Sequence, residues 1–92
     1  MTDNAEQPTL DQWRMLAAVV DCGGFAPAAE ALGKSQSAVS YGVQRLQDSL
    51  GIALLTTQGR RSVLTPDGEV LLRRARHLLE ESTALQRLAG NL

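Results

Sequence analysis

The stretch from Ser35 to Gly51 constrains this chain most. The Ser35 hydroxyl can take a free backbone N–H of a first helical turn, and Gly51 suits the left-handed position just past a helix end. Between them Val39, Val43, Leu46 and Leu50 recur at helical spacing and predict one buried face. The opposite face carries Ser37, Ser40, Tyr41, Gln44 and Asp48. It is polar yet nearly uncharged, whereas an ordinary solvated helix face is richer in Lys and Glu. Hydroxyls and amides are the groups that meet base edges and phosphates in a major groove. The stretch therefore reads as a DNA-recognition helix.

What precedes it fits that reading. Thr9 and Gln12 have capping-box spacing and open a first helix that runs to about Cys22, where Gly23-Gly24 stops it. Leu10, Trp13, Leu16, Ala17 and Val20 form its expected buried stripe. Phe25 is an expected core anchor, and Pro27 fits the first turn of a short second helix. Ala28, Ala29 and Leu32 should face inward, with the small alanines allowing close approach. Gly33 ends that helix and Lys34-Ser35 turns tightly into the next. A short helix, a Gly-containing turn and a longer helix form the helix-turn-helix pattern.

After Gly51 the period changes. Residues 52–57 predict a short strand, Gln58-Gly59-Arg60-Arg61 a turn with two cations at its tip, and residues 62–64 a returning strand. Such a hairpin, or wing, is marginal alone and must lean on the helices through Leu54, Leu55 and Leu64. Thr65-Pro66 then opens a last helix, with Asp67 and Glu69 near the positive end of its dipole. It extends to about Ala89. Leu71, Ala75, Leu78, Ser82, Leu85 and Ala89 step by four and three, and Leu72, Leu79 and Leu88 widen the apolar face. A rod of this kind spans on the order of 35–40 Å, longer than so small a domain covers. An apolar stripe that outruns its domain needs a partner, and a second copy of the same helix is the simplest one. The expected fold is mainly α with a small β-hairpin: residues 1–8 a disordered tail, 9–64 a winged helix-turn-helix, 65–92 a linker and dimerisation helix.

The chain has 92 residues and a formal net charge of −1. That balance disfavours a nucleic-acid partner, but the distribution does not. Residues 32–63 hold Lys34, Arg45, Arg60 and Arg61 against Asp48 alone, while residues 1–31 are acidic. A patch this modest would need help to hold DNA, for example from a second copy in a dimer. The single cysteine, Cys22, rules out an internal disulfide and reads as a small buried filler in a reducing, cytoplasmic setting. No apolar run approaches the roughly 20 residues that span a bilayer, and the polar, acidic N-terminus is unlike a signal peptide. Trp13 reads as core and the lone His77 as a surface or interface residue. Arg73, Arg74 and Arg76 with Glu80 and Glu81 read as helix-surface pairs. There is no clustered carboxylate pair, no Gly-rich phosphate loop after a strand and no metal-ligand spacing, so neither an enzyme nor a metal or cofactor site is expected.

These residues, in this order, resemble the N-terminal DNA-binding domain of LysR-type transcriptional regulators. The carriers are Phe25 with Ala28-Ala29 and Leu32, the run Ser35–Ser40, Arg45-Leu46, Leu50-Gly51, Leu54, Arg60, Leu64-Thr65, Gly68, Leu71-Leu72 and Ala75-Arg76. The resemblance runs from Leu10 to about Leu88. It implies a winged helix-turn-helix, a linker helix that pairs two subunits antiparallel, and a fragment whose effector-binding domain lies outside this chain, together with any small-molecule effector. It also allows a tetramer in the full-length protein. The chain departs from the family pattern at Gly24, Ala26 and Pro27, at Gln47 where Glu is usual, and at Leu55 and Thr57 where Phe and Arg are usual. These departures predict DNA binding that is weak, or that relies on dimerisation and the wing, with a flattened salt dependence.

The base-edge and phosphate candidates are Gln36, Ser37, Ser40, Tyr41 and Gln44, next to the capping Ser35. Arg60 and Arg61 would address phosphates or a minor groove from the wing, and Lys34 and Arg45 phosphates, though Arg45 could equally pair with Asp48. Gly42 either allows close backbone approach or reflects drift. The expected partners are double-stranded DNA and a second copy of the chain. Two other readings compete: a winged-helix module for protein association, favoured by the acidic balance and Thr57, and a module like that of the molybdate-responsive regulators.

Overall fold

A computed structural model of the chain describes residues 7–92, in the order α1 (Leu10–Cys22), α2 (Phe25–Leu32), α3 (Gln36–Leu50), β1 (Leu55–Gln58), β2 (Arg61–Leu64) and α4 (Pro66–Gly90). It is a winged helix-turn-helix followed by one long helix. Of the expected tail, residues 1–6 lie outside the described residues; Gln7 and Pro8 are exposed and belong to no helix or strand.

The helix ends are where local chemistry puts them. The Gln12 N–H donates to Thr9 Oγ1, and the Thr9 N–H donates to Gln12 Oε1, each at 3.1 Å. The Ala38 N–H donates to Ser35 Oγ at 3.1 Å, and the Gly68 N–H to Thr65 Oγ1 at 2.9 Å. Each bond satisfies a first-turn donor that no helical carbonyl can reach. At Gly24 the second helix has no such side-chain cap.

α1 is the centre of the body, in contact with α2, α3 and α4. Met15, Leu16 and Ala17 are therefore buried in succession, together with Val19, and not as one stripe. Trp13 and Val20 are half-buried against this core, and Leu10 is exposed. Ala28 and Ala29 of α2, Val39, Val43 and Leu46 of α3, Leu54, and Leu72 and Ala75 of α4 complete it. Cys22, expected as a buried filler, is exposed at the end of α1.

Two glycines make the packing possible. A Cβ on Gly42 would meet the Met15 side chain, so the absence of one lets α1 and α3 close together. This settles the open reading of Gly42: it faces the core. A Cβ on Gly68 would meet the Leu54 carbonyl, so the first turn of α4 lies directly on the chain before the hairpin.

The first strand is shorter than expected. The segment 52–54 is not strand, because its backbone groups are engaged elsewhere: the Thr65 N–H donates to Leu54 O at 2.9 Å, and the Thr65 hydroxyl to Ala53 O at 2.7 Å. β1 and β2 pair antiparallel from Leu55↔Leu64 to Gln58↔Arg61. Gln58 and Arg61, both expected in the turn, are thus strand residues, and the turn is Gly59-Arg60 alone. Gly59 has φ +65° while Arg60 does not have positive φ, the combination of a type II′ hairpin turn.

Candidate nucleic-acid interface

The face of α3 opposite Val39, Val43 and Leu46 is turned away from its own body. Gln36, Ser37, Ser40, Tyr41 and Gln44 are all exposed, Tyr41 at 68%. The Ser35 and Ser37 hydroxyls lie 3.3 Å apart at the helix start, beside the free N–H groups of the first turn. Gln44 Nε2 donates to Asp48 Oδ1 at 2.9 Å, which fixes the amide and leaves its oxygen and second N–H for another partner.

The hairpin stands beside this face. A groove between them is lined by Ser40, Gln44, Thr56, Thr57 and Ser62, with Phe25, Val43 and Leu55 in its floor. Arg60 and Arg61 are exposed on the hairpin, and Arg45 is half-buried on α3. Lys34, at the corner before α3, lies 3.6 Å from Asp11, with both side chains partly in water. A pair of that kind contributes little and exchanges partners readily.

One residue in this region was recognised from sequence only as a departure. Gln47 Oε1 accepts the Leu54 N–H at 2.8 Å and the Leu55 N–H at 3.1 Å, joining α3 to the entry of β1. Helical period places residue 47 on a half-buried flank, which carries no sign of this bond. The partners are seven and eight residues away, beyond the helix end.

The stripe on α4 divides in two. Leu72 and Ala75, expected on a dimer seam, are 2% and 3% exposed within the chain's own core and are withdrawn from it. α1 and β2 both pack against α4. Leu71 and Leu79 are half-buried at the edge. Ser82 accepts a hydrogen bond from Arg14 Nη2 at 3.3 Å. Leu78, Leu85 and Leu88 remain exposed, at 57%, 67% and 58%. From Thr83 onward every residue is exposed, so the end of α4 extends past the body.

Arg76 does not simply pair along its own helix. Its two terminal nitrogens donate to the two Asp21 carboxylate oxygens at 2.9 and 3.1 Å, tying α4 to the end of α1. The hydrogen bonds to Asp21 raise the Arg76 pKa above its ordinary value; partial burial opposes them, and the charges of Asp21 and Glu80 add to the rise.

Comparison with known proteins gives consistent matches. The model of the bacterial regulatory helix-turn-helix proteins of the lysR family matches residues 10–69. A probable hydrogen peroxide-inducible genes activator of Mycobacterium xenopi is 42% identical over 90 residues, covering 98% of this chain and 48% of that protein. The probable regulator YhaJ of Escherichia coli is 40% identical over 77 residues, 84% of this chain and 26% of that protein. Among solved structures, the BenM DNA-binding domain in complex with catB site 1 DNA superposes with a TM-score of 0.84 at 30% identity, over 90% of this chain and 93% of that one. Oxidized OxyR of Corynebacterium glutamicum gives 0.85 at 32% identity, over 90% of this chain and 27% of that one. The chain thus spans less than half the length of the curated relatives it matches.

Proposed function

The chain belongs to the LysR family of bacterial regulatory helix-turn-helix proteins, and from that premise we propose that it is the sequence-specific DNA-binding part of a cytoplasmic transcription regulator, acting as a homodimer on an interrupted palindrome. The observation that carries this reading is the hydroxyl- and amide-rich face of α3, exposed beside a cationic hairpin. α3 enters the major groove. Gln36, Ser37 and Ser40 near its start, with Tyr41, meet base edges and neighbouring phosphates, and Gln44 lies deeper along the groove. Ser35 keeps its cap and sits at the helix N-terminus, where the dipole favours a phosphate. Lys34 and Arg45 flank the site as phosphate partners, with Lys34 leaving Asp11 on contact. Arg60 and Arg61 reach the backbone or a minor groove from the wing.

One such module on a chain of net charge −1 has few phosphate contacts. Two copies joined through Leu78, Leu85 and Leu88, with Leu71 and Leu79 at the margin, double them and set the spacing of two half-sites. A tetramer and any small-molecule effector belong to segments beyond this chain.

The test is fluorescence anisotropy with promoter fragments over a salt series, on the folded dimer. Binding should be specific, require two half-sites and weaken as salt rises. No binding at low salt removes the proposal. A stable complex with another protein, unchanged by Arg60→Ala or Gln44→Ala, would support the protein-association reading instead.

A further inference from the structure

We propose that Gln47 is a positioning residue for DNA binding: its side-chain carbonyl holds the wing at a set distance from the recognition helix, so that both reach one duplex together. The inference rests on the DNA-binding reading above and names the part that joins its two contact surfaces.

Both carbonyls of Gln47 are engaged. Its backbone oxygen accepts the Gly51 N–H at 2.8 Å and the Ile52 N–H at 3.3 Å. Its side-chain oxygen accepts the Leu54 and Leu55 N–H groups at 2.8 and 3.1 Å. The segment from the end of α3 to the first residue of β1 is thus gathered on one residue, its first half on the Gln47 backbone oxygen and its second on the side chain. From the opposite side Thr65 holds Ala53 O and Leu54 O. The hairpin beyond is only two strands of four residues, too little to fix its own orientation. Thr65 sets where the hairpin meets α4; Gln47 sets where it meets α3. An acceptor is needed at this site more than a charge. The Gln47 amide oxygen supplies one with two lone pairs, and a carboxylate oxygen at the same position would supply one too.

The experiment compares wild type, Gln47→Met, Gln47→Glu and Arg60→Ala/Arg61→Ala by anisotropy over a salt series, at temperatures where circular dichroism shows full helix content. Methionine keeps the stem and removes the acceptor; Glu keeps the acceptor. Each released phosphate contact lowers the slope of log K against log salt by about 0.9, and the affinity at 0.1 M salt on the order of tenfold. Gln47→Met should show a reduced slope and weaker binding, by up to the contribution of the two wing arginines. Placed in the Arg60→Ala/Arg61→Ala background it should add nothing, and Gln47→Glu should retain the wild-type slope. A merely structural role would lower the melting temperature and leave the slope alone. Should Gln47→Met not fold, Gln47→Asn, whose shorter arm withdraws the oxygen, takes its place with the same expected loss. Wild-type slope and affinity in the variant, losses that simply add to those of the arginine variant, or failure of Gln47→Glu to retain binding would each overturn the proposal. If wild type binds and these outcomes appear, only the role of Gln47 falls. If wild type itself binds no DNA, the function proposed above falls with it.

Discussion

Replacing Gly68 by Ala tests the packing of α4 on the body most directly. Helix propensity alone favours the substitution by about 1 kcal/mol. The structure opposes it, because the new Cβ would press on the Leu54 carbonyl oxygen and lie 3.1 Å from both the Leu54 carbonyl carbon and Leu64 Cδ2. The carbonyl cannot retreat freely, since it accepts the Thr65 N–H at 2.9 Å. Moving the first turn of α4 instead strains that bond, the Thr65–Ala53 bond and the cap to Gly68. Each is worth about 0.5–1.5 kcal/mol. After the propensity gain, a net loss of about 1–3 kcal/mol remains, the usual range for overpacking. For a domain of this size that corresponds to a fall in melting temperature of very roughly 5–20 °C.

Gly42→Ala is the internal control, because its new Cβ meets the Met15 sulfur and Cε, the far end of a flexible side chain. There the propensity gain and the repacking of Met15 should cancel to within about 1 kcal/mol. Thermal melts followed by circular dichroism, at one fixed concentration because a dimer melts concentration-dependently, measure both. A Gly68→Ala variant as stable as wild type, or one less affected than Gly42→Ala, would refute the reasoning.

Leu85→Asp, in the exposed part of α4, should leave helix content intact and shift the chain to a monomer in light scattering, with loss of two-half-site binding. A dimer that persists would exclude this face as the seam. Arg76→Ala should cost no more than about 1 kcal/mol, because the Asp21–Arg76 pair is 58% and 40% exposed and screened by water and salt. Melts in low and high salt should show the difference narrowing; a loss of several kcal/mol would contradict it. The Arg76 pKa is raised, so its contribution is present below the unfolded pKa and is lost only as pH rises through the still higher folded value. That window is strongly alkaline, so from the Arg76 side melts between neutral and mildly alkaline pH should show no change in this pair.

Helix positions and the solvent face of α3 were legible from sequence because the causes are local. Thr9, Ser35 and Thr65 cap donors three residues away, and Gly33 and Gly51 stop helices at their own positions. A periodic pattern then separates Val39, Val43 and Leu46 from Ser40, Tyr41 and Gln44 without reference to the rest of the chain. The expected four-residue turn was one residue too long at each end, because Gln58 and Arg61 pair as strand residues and leave only Gly59-Arg60 between them.

The sequence by itself determined the capped helices, their order and which side of α3 is polar, since those depend on interactions within about one helical turn. Only the tertiary structure decided which apolar residues of α4 are available to a partner. The body buries Leu72 and Ala75 and leaves Leu78 and Leu85 in water, a division that follows from how α4 docks on it through contacts such as Asp21–Arg76 and Arg14–Ser82, 55 and 68 residues apart in sequence. The same holds for Gly42, Gly68 and Gln47: each is explained by an atom from another element, and no local pattern encodes which atom that will be.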